Sequence, residues 1–272
     1  MATGALGASP AVARPAEPAP QTRGAPGDEE FSQAELAALC TRLIGTQRER
    51  AERRLATRPG AWLATYLRHA VALPAWQRAA FVRAGAQLGE RRARRLVRHV
   101  WLDEDDPTVL RAAAHLAARV HERTVLRQLL RSEDADERAL AVRSLGADTE
   151  AVAALLERLR RDPDVHVREA AARSLARHVE PRVAEGLLAA AVSDRQPRVR
   201  RQAARSLQRC LRRLPAGSLR DEALQLVSAQ PLDECVLPLV PDLLAGSGIG
   251  RLRPLLDTED ARLRAAVLRA LV

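Results

Sequence analysis

The chain has 272 residues and a formal net charge of +10, from 44 basic against 34 acidic side chains. Every basic side chain is Arg, and the absence of Lys excludes both a Walker-type phosphate loop and Schiff-base chemistry. Aromatics make up only 2% while hydrophobic residues reach 47%, so Ala, Leu and Val carry the apolar content and favour close-packed helices over a sheet.

Residues 1–29 are rich in Ala, Pro and Gly and predict a disordered tail that cannot bury a face. They lack the basic start and apolar core of a secretory signal, and no apolar run approaches the roughly 20 residues of a membrane span. Cys40, Cys210 and Cys235 stand far apart with no C-x-x-C pair, which predicts small buried thiols in a reducing, cytoplasmic setting. Residues 30–73 predict an N-terminal helical cap through FSQAELAALCTRLIG and PGAWLATYLRHAVAL. Residues 74–272 predict a solenoid of stacked helix–turn–helix units, beginning with a weak copy in LPAWQRAAFVRAGAQLG.

Four segments align without gaps: SEDADERALAVRSL from Ser132, DPDVHVREAAARSL from Asp162, DRQPRVRRQAARSL from Asp194 and TEDARLRAAVLRAL from Thr258. Each opens on a residue able to cap a helix and carries Arg six positions later, at Arg138, Arg168, Arg200 and Arg264. Asp105 with Arg111 fits the same spacing more loosely, and a further copy without the Arg is expected near QPLDECVLPLVPDLLAG. On this reading Asp162 is an N-cap and Pro163 the first helical residue. From Arg168, Ala170, Ala171, Ser174 and Leu175 fall on one stripe, the predicted buried face. The segments TEAVAALLERLRR, EPRVAEGLLAAAV and LRDEALQLVSAQ supply the intervening helices, so the expected fold is an all-α solenoid.

The pattern D-P-x-V-x-V-R-x-A-A-x-x-L resembles HEAT repeats, in particular the short HEAT-like type named after phycobilisome lyases. The resemblance implies a ladder of hydrogen bonds between adjacent repeats through Asp162, Arg168, Asp194 and Arg200. Ser132 and Thr258 depart from Asp there, so their rungs would lack a charge. Deoxyhypusine hydroxylase, a HEAT-repeat enzyme, needs several His-Glu pairs for iron, whereas this chain has one, His121-Glu122. HEAT-like alkylpurine DNA glycosylases use Trp and Asp on a concave face. Trp101 and Asp103 are the corresponding residue types here, expected instead at a helix end. The run GSGIG at 246–250 predicts a turn. No catalytic, cofactor or metal site is expected.

A second Arg column stands five positions after the first, at Arg143, Arg173, Arg205 and Arg269. This position leaves the buried stripe for the open side of the second helix, which the HEAT resemblance places on a concave surface. Residues 31–100 hold 14 Arg against 4 Glu, a surplus equal to the whole net charge, concentrated in RRARRLVR with Arg91, Arg94, Arg95 and Arg98. A second focus spans Arg195–Arg213, where eight Arg follow Asp194 without an intervening acid. GC-rich codons alone produce such an Arg bias, so a solvated helix face accounts for it equally.

The expected function is a non-enzymatic scaffold or adaptor that binds a protein partner through a concave, Arg-rich surface. The alternatives are a duplex nucleic-acid binder, including a glycosylase-like one, or a bilin-lyase-like subunit. The scarcity of aromatics argues against single-stranded nucleic acid. The chain ends on the apolar Leu271-Val272, so oligomerisation through an uncapped last repeat is a further expectation.

Overall fold

The computed structural model describes residues 31–213, 237–240, 256–257, 259 and 261–270. The predicted tail, Cys235, the GSGIG turn, Thr258, LRDEALQLVSAQ, most of the copy around it and Leu271-Val272 lie outside the described residues. Among the described residues there are thirteen α-helices and no strand. None of these helices is long and apolar enough to cross a membrane.

The described residues begin with α1 (Gln33–Arg42), α2 (Arg48–Thr57) and α3 (Pro59–His69). Ser32 starts α1 with a capping box: its Oγ accepts the Glu35 amide at 3.2 Å, and Glu35 Oε2 accepts the Ser32 amide at 2.8 Å. All six aromatics lie between Phe31 and Trp101, and all but the exposed Trp76 thicken a core that is elsewhere mostly Ala, Leu and Val. Phe31 stacks on Trp62 at 3.5 Å and Tyr66 on Phe81 at 4.5 Å between ring centroids.

Next come α4 (Ala75–Ala84), α5 (Glu90–Asp103), α6 (Pro107–Val120), α7 (Arg123–Leu129) and α8 (Ala135–Ser144). The series continues with α9 (Val152–Arg161), α10 (Val165–Leu175), α11 (Pro181–Ser193) and α12 (Pro197–Leu211). A last helix, α13, covers Ala261–Ala270. Helices α5/α6, α7/α8, α9/α10 and α11/α12 pack as antiparallel pairs, and the pairs stack. Stacking makes two layers. The second helices α6, α8, α10 and α12 lie side by side, extended by α4 and α1, while α3, α5 and α7, then α9 and α11, form the other layer. The molecule is an all-α solenoid.

Each layer is glued by small residues. Ala170, Ala171, Ser174 and Leu175 are all buried, as the stripe predicts. In α11, a Cβ at Gly186 would stand 2.5 Å from Leu156 Cδ2, so a larger residue there would have to push the Leu156 side chain of α9 aside. Polar rungs join the C-terminal ends of the second helices. Ser174 Oγ donates to the Val142 carbonyl at 3.2 Å, His178 Nε2 lies 3.0 Å from the Gly146 carbonyl, and Cys210 Sγ approaches the His178 carbonyl at 3.4 Å.

Charged rungs join their N-terminal ends. Arg138 Nε and Nη2 donate to both Asp162 carboxylate oxygens at 2.9 and 3.0 Å, one repeat on. Its Nη1 donates to the Ser132 and Glu133 carbonyls of its own repeat, both at 2.9 Å. Arg168 repeats the arrangement with Asp194 at 2.9 and 3.1 Å and with the carbonyls of Asp162 and Pro163. Arg78 does the same earlier, reaching Glu104 at 2.8 and 2.9 Å and the Leu73 carbonyl at 2.6 Å. The forked guanidinium thus fastens its own interhelical turn and the next one together.

The ladder residues are not the caps. The N-caps are Asp106, Asp134 and Asp164, one position later than the repeat alignment implies in the loose copy and two later in the others; Asp164 Oδ1 accepts the amides of His166 and Val167. Pro163 therefore sits in the turn before the helix rather than at its first position. Asp162 is freed for Arg138 and folds its own turn by accepting the Asp164 amide at 3.0 Å. Counting from the caps also corrects the loose copy: Glu104, not Asp105, holds the rung position, and its Arg is replaced by Leu110, leaving Arg111 exposed. Ser132, opposite Leu110 in this register, makes no charged rung; its Oγ donates to Glu137 at 2.6 Å. Both partners of that rung are apolar or neutral, so neither charge is stranded.

Removing Arg138 leaves the fully buried Asp162 carboxylate with Arg158 Nη1 at 3.4 Å in place of its bidentate partner. Arg168→Ala is expected to lower unfolding free energy by about 3–5 kcal/mol in denaturant titrations, and Arg138→Ala by less because Arg158 remains. Arg111→Ala is expected to change it by less than about 0.5 kcal/mol. Desolvation raises the Glu104 pKa, but the hydrogen bond from Arg78 and two backbone amides outweigh it and hold the carboxyl below its ordinary value. A lowered folded pKa gives stability that is full above the unfolded value near 4.5 and is lost as pH falls through the folded value. Stability measured through this acid range should fall less steeply in Glu104→Gln.

Candidate functional site

The second Arg column occupies one register position on successive second helices, with Arg143 on α8, Arg173 on α10 and Arg205 on α12. All three are exposed. Five residues separate each from the ladder Arg, which turns the side chain from the inter-repeat seam to the free face. Arg143 and Arg205 have no ion-pair partner among the described residues. Arg269 is also exposed and donates Nε to the Ala265 carbonyl of its own helix at 3.2 Å; α13 packs on Leu237–Leu239, which in turn packs on α12.

Arg173 is braced. Glu169 accepts its Nη2 at 2.9 Å, and also accepts Nε and Nη2 of Arg198 from the next repeat at 2.9 and 2.7 Å. Arg198 Nη2 further lies 3.2 Å from His166 Nδ1. One carboxylate therefore ties two repeats across the exposed face and offsets part of the charge there. On α12 the basic focus divides. Arg200 turns to the Asp194 carbonyl at 2.8 Å, whereas Arg201, Arg205 and Arg209 are exposed on one side of the helix at i, i+4, i+8.

The other basic focus lies elsewhere. Arg91, Arg94, Arg95 and Arg98 are on α5, in the first-helix layer, so they do not join the α8–α10–α12 column. Two of the four are engaged: Arg94 donates to Glu90 at 2.5 Å and to the Val120 carbonyl at 3.0 Å, and Arg98 lies 3.0 Å from the buried Glu122. Arg91 and Arg95 have no ion-pair partner among the described residues. Neither does Arg92, which the run RRARRLVR contains but a one-face count passes over; its guanidinium hangs over Gly60 of α3.

Helix α5 carries its charges against its own dipole. Arg91 and Arg92 stand in the first turn, softened by Glu90, while Asp103 ends the helix and no basic residue occupies the last turn. At an exposed terminus each such placement costs about 0.3–1 kcal/mol relative to the reverse order.

The remaining candidate chemistry is structural. His121 closes α6 in the left-handed region with φ 51°, and Glu122 serves as the ion-pair partner of Arg98, so the one His-Glu pair is a helix end. Trp101 packs partly against the core, and Asp103 takes His99 Nδ1 at 2.7 Å. Among the described residues no three His, Cys, Asp or Glu cluster as metal ligands. Cys40 and Cys210 are buried, and burial pushes the Cys40 thiol up to about 12 and raises that of Cys210. Neither is an activated nucleophile.

Residues 122–208 match the family of HEAT repeats. No curated protein matches the sequence. Among solved structures, 14 chains match. One is an engineered protein of the Northeast Structural Genomics Consortium, 17% identical over 87% of this chain and 77% of that one, with a TM-score of 0.47. A second engineered protein from the same source is 20% identical over 87% and 95%, with a TM-score of 0.38.

Because the column side chains stand in solvent, Arg143→Ala and Arg205→Ala should each leave the unfolding midpoint nearly unchanged, within about 0.5 kcal/mol. Glu169→Ala, which removes only surface ion pairs, should cost no more than about 1 kcal/mol.

Proposed function

With residues 122–208 as HEAT repeats, we propose that this chain is a non-enzymatic interaction scaffold whose second-helix face binds an acidic protein partner. The observation that carries this reading is the division of labour between two Arg residues in the same repeat. One, as at Arg138 and Arg168, is buried in the ladder; the other, as at Arg143 and Arg173, is exposed five residues on. The stacking of repeats does not require the second Arg, since neither Arg143 nor Arg205 makes an ion pair among the described residues. Guanidinium forks repeated along a rigid surface suit carboxylates presented by a folded or extended polypeptide.

A protein partner fits the face better than a duplex. Glu169 stands inside the column and braces Arg173 and Arg198, so the surface alternates in sign rather than forming a continuous positive track. A partner that presents acids opposite Arg143 and Arg205 meets two unpaired guanidiniums and avoids Glu169.

The test compares two fluorescent probes on the full chain: an acidic, unstructured Glu-rich peptide and a duplex DNA, each titrated between roughly 50 and 200 mM salt. The peptide should bind, and the triple substitution Arg143→Ala, Arg173→Ala, Arg205→Ala should weaken it about tenfold or more with helicity unchanged. Tight duplex binding with a log–log salt slope of several units, lost in the same variant, would overturn the reading in favour of nucleic acid.

A further inference from the structure

A groove runs along the first-helix layer between α3 and α5, on the opposite layer from the Arg column. Two cavities make it up, about 1030 and 690 Å³, which adjoin at Leu67, a lining residue of both. Gly60 faces Arg92 at one end, and Ala70 and Val71 share the other with His99 and Asp103. The two helices therefore run parallel, with both N-termini at the same end. The floor is apolar and half open: Leu63, Ala64 and Leu67 line it, and Val71 beside it is 95% exposed. Leu102, on the outer side of α5, is 79% exposed. Fourteen residues of α5 give the trough a length of about 20 Å.

The two ends carry opposite charge. At the N-terminal end stand Arg91, Arg92 and Arg95, none with an ion-pair partner among the described residues, and both helix dipoles add positive potential there. At the C-terminal end stand Asp103 and Asp105, where the dipoles add negative potential. Neighbouring carboxylates have structural duties, since Glu104 holds Arg78 and Asp106 caps α6. The order of charge along α5 is the one that its own dipole disfavours, offset only in part by Glu90 in the first turn and by the His99 contact to Asp103, and such an order suits a partner of complementary charge.

We propose that this trough docks an amphipathic helix of a partner protein, with acidic residues in its first turn and basic residues in its last. Such a helix lies parallel to α3 and α5. Its acids meet Arg91, Arg92 and Arg95, its apolar stripe covers Ala64, Leu67 and Val71, and its basic end meets Asp103 and Asp105. Its charge order is the one a stable free helix already prefers, so groove and ligand are complementary without strain in the ligand. A nucleic-acid backbone matches neither the apolar floor nor the acidic end. This surface is separate from the column on α8, α10 and α12, and stands or falls without it.

The experiment uses the full chain and two labelled helical peptides of about four turns with the same composition and the same Leu spacing at i, i+3, i+4, i+7. One has Glu in the first turn and Arg in the last; the other reverses them. The Glu-first peptide is expected to bind about tenfold tighter than its reversed counterpart by fluorescence anisotropy. Arg91→Ala with Arg95→Ala should abolish that preference. Val71→Asp, at a fully solvated position, should weaken both peptides, whereas Arg143→Ala with Arg205→Ala should change neither. All three variants are expected to keep the helicity and melting temperature of the parent. Absence of binding, equal affinity for the two peptides, or a preference that survives loss of Arg91 and Arg95 would overturn the proposal. So would displacement of the bound peptide by duplex DNA at the same concentration.

Discussion

The bidentate contact from Arg138 to Asp162, repeated from Arg168 to Asp194 and from Arg78 to Glu104, is the constraint on which the stack depends. Each guanidinium is shared between the carbonyls of its own turn and the carboxylate of the next, so it measures the offset between repeats at one end of the helices. The Ser174, His178 and Cys210 contacts measure it at the other end. Between them the buried side chains are mostly Ala, Leu and Val, with little shape to choose one register over its neighbour. A buried ion pair contributes little net stability against an apolar substitute, but it penalises misregistry strongly. Where the Arg is lost, at Leu110, the acid is lost with it, at Ser132.

With the interior charges committed to the rungs, the exposed arginines divide by partner rather than by position. Glu122 holds Arg98, Glu90 and the Val120 carbonyl hold Arg94, and Glu169 holds both Arg173 and Arg198. Exposed arginines with no ion-pair partner among the described residues include Arg143 and Arg205 on the second helices and Arg91, Arg92 and Arg95 on α5, on opposite layers, beside others such as Arg111 and Arg201. The net charge of +10 does not by itself locate a binding surface, since ion pairs decide where individual arginines point without changing the sum. The N-terminal segment adds a distinct feature. It concentrates the aromatics and leaves the α3–α5 trough open, so the end of the solenoid that carries the charge surplus also carries the exposed apolar side chains Val71 and Leu102.

By itself the sequence determined the helical class, the period near thirty residues and the buried stripe through Ala170, Ala171, Ser174 and Leu175, which follow from spacing along one chain, and spacing survives without coordinates. The pairing of ladder Arg with ladder Asp came from the resemblance to HEAT repeats. Tertiary structure decided which acid in DEDD takes Arg78, because four adjacent carboxylates differ only in where the backbone turns. It placed the caps at Asp134 and Asp164 and left Asp162 to Arg138 for the same reason. It also separated the two Arg groups onto opposite layers and set Arg92 over Gly60, since both outcomes depend on which helix lies beside which. A one-dimensional pattern reports the face a residue occupies on its own helix; the partner that meets that face, or its absence, exists only once the helices are stacked.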